Sequence, residues 1–184
     1  PHSKKLDQPV TKDRYRRWID IFGTDRFSLE MGGVRVVGFA TALLGSGLER
    51  EREQWEWLTS ELAGRPREVP PTLLFMHKPL FTRDAHEGFF SNSTVDPENR
   101  VRLWQLLSYS TVQAVASAHV HAYKHVEANG IDFVWCPATS FVVTWPGKDV
   151  YDGVRRTGYL RWEIAQTVRD RAPQVVHSWI EPAP

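Results

Sequence analysis

With 184 residues, 41% hydrophobic and 24% charged, the chain has the length and balance of one domain with a buried core, which excludes a disordered or fibrous class. Its 23 Lys and Arg against 22 Asp and Glu leave a formal net charge of +1, so no polyanionic partner is advertised and no nucleic acid is expected. Cys136 is the only cysteine, which excludes an intrachain disulfide and suits a reducing, cytoplasmic setting.

No stretch approaches the roughly 18 apolar residues of a membrane span. Nothing hydrophobic follows Pro1-His2-Ser3-Lys4-Lys5 to make a signal peptide. Opening on proline, the chain reads as a fragment or processed product. The basic run Lys12 to Arg17 reads as a solvated helix face.

Residues 13–22 are expected to form a helix, with Tyr15, Trp18, Ile19 and Phe22 on one apolar stripe and Gly23 as its stop. Two strands follow, over 26–31 and 34–40, joined by the two-residue turn Gly32-Gly33. A flexible loop over 43–48 leads into a helix over 49–63, with Trp55, Leu58 and Leu62 inward. Residues 72–76 are a short buried strand. Residues 80–95 are a long loop, a length often used for functional lids.

Asp96-Pro97 is a helix start, an N-cap carboxylate ahead of a first-turn proline. That helix is expected to reach Tyr109, with Val101, Trp104 and Leu107 inward. A strand over 112–116 follows. Residues 122–126 and 131–135 then read as a hairpin across Asn129-Gly130, and 158–164 and 174–180 as two last strands. The order is mixed α/β (α+β mixed) with many hairpins, and no linker divides the single domain 1–184.

The chemistry concentrates in two histidine clusters. Phe75-Met76-His77-Lys78-Pro79 and Ser117-Ala118-His119-Val120-His121 each end an apolar run, at the sheet edge where open α/β folds present ligands. Read as extended chain, His119 and His121 place both imidazoles on one side. With His77 they look like part of a metal site that lacks its carboxylates. A cupin is a poorer fit, because Glu127 is misplaced after His121 and two helices are present. Gly45-Ser46-Gly47 is not a nucleophile elbow, and Cys136 reads as a buried thiol.

In order, spacing and flanks, the two clusters resemble the C-terminal half of the calcineurin-like metallophosphoesterase superfamily. There, Gly-His-x-Pro supplies one metal ligand and Gly-His-x-His one ligand to each of two metals. The likeness extends to Phe22-Gly23, to the 28–39 hairpin, to Gln54-Trp55-Glu56-Trp57-Leu58, and to Ala138-Thr139-Ser140-Phe141 with Gly158-Tyr159. It covers roughly residues 15–165.

Met76 and Ala118 replace the family glycines. The N-terminal Asp-x-His, Gly-Asp-x-x-Asp and Gly-Asn-His-Asp/Glu motifs are absent. Asp84-Ala85-His86 lies in the wrong order, and Asp149 with Asp152 lacks the Gly-Asp start.

The resemblance implies part of a two-sheet sandwich flanked by helices, and hydrolysis of phosphate mono- or diesters by metal-activated water. The complete family site holds two divalent or trivalent ions (Mn, Fe or Zn), of which this chain alone would bind at most one. His77 and His119 are the expected ligands of one ion and His121 of the other. Lys78, His125 and Trp145 are weaker candidates for substrate contact. The alternative is a truncated or diverged non-catalytic relative, a binding module with a partial metal site. Expected partners are a phosphoester substrate and either a missing N-terminal half or a second copy.

Overall fold

The computed structural model describes residues 10–63, 70–85, 87, 93–143, 152–165 and 173–181. Helix α1 (Lys12–Phe22) starts where Thr11 accepts the Arg14 amide and stops at Gly23, whose φ of 76° suits a residue without Cβ. Strands β1 (Arg26–Met31) and β2 (Val34–Phe39) form a hairpin through Gly32 and Gly33, both at positive φ. Helix α2 (Glu49–Leu62), β3 (Thr72–Phe75), α3 (Pro97–Ser108) and β4 (Val112–Ser117) complete two βαβ units. A second hairpin pairs β5 (Lys124–Ala128) with β6 (Ile131–Trp135) across Asn129-Gly130, and a third pairs β7 (Tyr159–Ala165) with β8 (Gln174–Ile180).

The first six strands make one sheet, ordered β1-β2-β3-β4-β6-β5, and β7-β8 make a second. Within the large sheet β2, β3, β4 and β6 run parallel, and the edge strands β1 and β5 run antiparallel to their neighbours. Period-two alternation splits each inner strand between two cores. Val37, Leu74, Val115 and Phe133 face α2 and α3, meeting Trp55, Leu58, Leu103 and Leu107. Val34, Leu73 and Ala114 face the other way, against Trp162, Ile164 and Val175 of the small sheet. The result is three layers: helices, large sheet, small sheet.

Several expectations change. The apolar stripe of α1 exists, but the helix buries no residue, and Trp18 and Phe22 are exposed. Val101 points to solvent, so α3 packs through Leu103 and Leu107. The 43–48 loop is held in place: Leu43 and Leu44 are buried, and the Glu51 carboxylate accepts the amides of Gly45 and Gly47.

In the described part of 80–95, Leu80, Phe81, Thr82, Thr94 and Val95 are buried, while Arg83 and Asp84 are exposed. Phe81 is buried with its ring centroid 5.1 Å from that of Phe133 and 5.8 Å from that of Trp135. The strand expected over 122–126 begins at Lys124, because Tyr123 bridges to Val154 instead. No described helix is long and apolar enough to cross a membrane.

Candidate metal centre

Because β3 and β4 are parallel neighbours, their C-terminal ends open on one edge of the sheet, and both histidine clusters lie there. Two backbone bonds lace the loops together. The Met76 amide donates to Ala116 O, and the Ala118 amide to His77 O, each at 2.9 Å. Gln54, fully buried on α2, fixes the neighbouring strand end by bonding both N–H and C=O of Ala40 at 3.1 Å. The adjoining Thr41 hydroxyl accepts the Lys78 amide at 3.1 Å. The position of His77 is thereby set by three elements.

His77 Nε2 and His119 Nδ1 stand 3.0 Å apart, with the rings edge to face. Two imidazole nitrogens on one ion of Zn–N distance about 2.0–2.1 Å lie only slightly farther apart than this. Burial is the main force holding the His119 pKa down to about 4, with His77, Lys78 and His121 adding repulsion. Burial also lowers His77, then Lys78 and His121, although part of its ring remains open to water. Neutral imidazoles are the form that binds metal.

His121 is half-buried, its ring 5.2 Å from that of Phe141, and its Nδ1 is buried without a hydrogen-bond partner. An orphaned buried nitrogen costs free energy unless some group meets it.

One expectation fails in an instructive way. His119 and His121 are not on extended chain. Both lie beyond β4 at positive φ, 67° and 53°, and the Val120 amide closes a three-residue turn onto Ala118 O. Positive φ falls on these histidines and not on Met76 or Ala118, so neither replacement of a glycine meets a backbone that excludes a side chain.

His77 and His119 present two neutral imidazole nitrogens to one point. Among the described residues no group of three or more His, Cys, Asp or Glu side chains is arranged to hold a metal ion.

Lys78 is half-buried beside the pair, and burial lowers its pKa against the opposing pull of Asp96. His125 bonds Asp132 at 2.6 Å, and its ring centroid lies 4.7 Å from that of His177 on the small sheet. Trp145, His86 and Asp149 fall outside the described residues. The Cys136 thiol is half-buried, and burial raises its pKa against the opposing Leu160 backbone bond. Sequence reasoning missed an apolar groove of about 700 Å³ beside His77, walled by Tyr15, Trp18, Phe27, Phe39, Phe75 and Met76. Its only sequence signal was the α1 stripe.

No family model matches the sequence, and no curated protein matches it. Solved structures do. The chain is similar to GAP50, the anchor in the inner membrane complex of Plasmodium, at 14% identity over 85% of this chain and 49% of that one, with a TM-score of 0.61. It is similar to a putative 5′-nucleotidase from Staphylococcus aureus at 13% identity, over 89% and 31% of the two chains, with a TM-score of 0.52. A purple acid phosphatase from yellow lupin seeds matches at 16% identity, over 88% and 30%, with a TM-score of 0.48. The chain therefore spans less than half the length of each of these neighbours.

Proposed function

On the premise that the chain has the fold of the calcineurin-like metallophosphoesterases, we propose that it supplies the histidine half of a metal-dependent phosphoesterase site, for phosphate mono- or diesters. The observation that carries this reading is the 3.0 Å pairing of His77 and His119 at the sheet edge, beside the orphaned nitrogen of His121. His77 and His119 hold one ion, and His121 is the donor for a second. A divalent ion at this place supplies the Lewis acidity that phosphoester hydrolysis needs.

The Lys78 ammonium, close to both rings, holds and orients a phosphoryl oxygen. The groove beside His77 shields the apolar part of a substrate from water. In this reading carboxylates from outside this chain complete a two-ion site, and the chain alone holds at most one ion.

A second reading is a non-catalytic binding module with a partial metal site. It draws support from the lack, among the described residues, of a carboxylate-bearing cluster around the histidines, and from the likeness to GAP50, an anchor.

Calorimetric titration with Zn²⁺ and Mn²⁺ tests both, run beside the His119→Ala/His121→Ala variant and an assay of p-nitrophenyl phosphate hydrolysis. The expected result is one ion per chain in the wild type and none in the variant. Hydrolysis that needs added metal and disappears in His121→Ala selects the enzyme. Metal binding without hydrolysis under any added metal selects the module. Equal binding by wild type and variant rejects the histidine site.

A further inference from the structure

The groove beside His77, at about 700 Å³, has the size of a small-molecule pocket. Its floor is the large sheet, where the Phe27 ring lies over Gly38: a Cβ there would stand 2.3 Å from the ring. One wall is α1, which buries none of its own residues and lines the groove with Tyr15 and Trp18. One end is His77, which the groove shares with the metal centre. Trp18 and Phe27 are 49% and 43% exposed, so apolar surface stands open to water beside a candidate ion ligand.

The polar atoms along these walls are already engaged. The Tyr15 hydroxyl donates to Asp25 at 3.0 Å, and Trp18 Nε1 donates to Thr24 O at 2.9 Å. Thr24 Oγ1 bonds the backbone N–H and C=O of Arg26, and the Thr41 hydroxyl accepts the Lys78 amide. Asp25 also meets Arg26 at 3.5 Å, which balances its charge. A sugar hydroxyl or a base edge would lose its water here and find few partners. At the His77 end the demand is different. Lys78 lies close to that ring, and an ion on His77 and His119 would add positive charge, so this end favours an anion.

We propose that the groove selects the alcohol of the ester: the ligand of this centre is an aryl phosphate, its phosphoryl group at His77 and Lys78 and its ring against Trp18 and Phe27. The proposal rests on the reading of His77 and His119 as ion ligands. The preference for an aryl group comes from the lining. Tyr15, Trp18, Phe27, Phe39 and Phe75 are five rings, and aromatic pairs gain beyond the area they bury. An aryl group also has few rotors to freeze, where an alkyl chain has many.

The test is calorimetric titration of the full chain, with and without Zn²⁺, using 1-naphthylmethylphosphonate, whose P–C bond survives a phosphoesterase. Methylphosphonate reports the anionic head alone, and hexylphosphonate an apolar body without a ring. The Zn²⁺-loaded chain should bind the naphthyl compound at least tenfold tighter than methylphosphonate and at least threefold tighter than hexylphosphonate. Trp18→Ala and Phe27→Leu, each checked by a circular dichroism melt, should cut the tenfold preference to threefold or less. Equal binding of the naphthyl and methyl compounds overturns the proposal, as does equal binding of the naphthyl and hexyl compounds. A preference that survives in both variants places the ring elsewhere and overturns it too. A chain that takes up no Zn²⁺ sinks the metal reading by itself. In that case a naphthyl preference that persists without metal and falls in Trp18→Ala still supports the groove, and its absence overturns it. Self-association that excludes the naphthyl compound gives the groove to a second copy and likewise overturns the proposal.

Discussion

Gly158 sets the entry of the chain into the small sheet. A Cβ at that position would stand 2.1 Å from Trp179 Nε1 and 2.9 Å from Ile180 O, one a large indole and the other backbone. Neither can retreat without disturbing β8. Gly158→Ala is expected to destabilise the fold by about 1–3 kcal/mol, read by urea denaturation followed through tryptophan fluorescence. At this scale the sequence located His77, His119 and His121 by residue type and spacing, but it misjudged their backbone. Period-two reasoning needs a strand, and β4 ends at Ser117, before either histidine of the second cluster. Gln54 shows the opposite case. Its place in a motif was legible, while its work of bonding both polar groups of Ala40 needed the packed structure.

Among the elements, β4 carries a feature that no pattern announces. It pairs Val112 with Thr72 but Ala114 with Leu73, so Gln113 is an extra residue. The Gln113 side chain crosses to the small sheet, donating to Pro173 O at 3.3 Å and accepting the Val175 amide at 3.2 Å. One bulge therefore pins the two sheets together. Gln113→Ala loses both bonds and is expected to cost about 1–3 kcal/mol. Hydrogen exchange should quicken first in β8, ahead of β3 and β6. An inner parallel strand is apolar on both faces, so its alternation is too faint to betray one added residue. The helices were easier to read. Asp96 before Pro97 marked α3, and the side chain does accept the Asn99 amide at 3.1 Å.

For the whole molecule, the order of helices and strands was legible, but the face that the last hairpin covers was not. That choice depends on contacts far apart in sequence, such as His177 with Tyr123 at 3.2 Å. The same junction makes stability depend on pH. Burial holds the His177 pKa below its usual value near 6.5, nearby His125 pushes it further down, and Asp132 opposes both. Below about pH 6.5 the unfolded chain therefore takes up a proton that the folded chain resists, so stability falls as pH falls through that window. The melting temperature should drop between pH 7 and pH 5, and His177→Gln should flatten the slope. A wild-type slope unchanged by that substitution would place the effect elsewhere.

The left-handed backbone at His119 and His121 has a consequence for stability. Asn129 takes the same conformation in its turn, and it is the kind of residue that tolerates it. Glycine meets no steric penalty there, whereas histidine, although it enters this conformation more readily than most side chains, still carries one. His121→Gly should accordingly melt higher than the natural chain, by the equivalent of about 1 kcal/mol, read by a circular dichroism melt, while the ion proposed at His77 and His119 should still bind. The γ-turn at the end of β4 thus sets a local conformational cost against the aim of two imidazoles at the sheet edge.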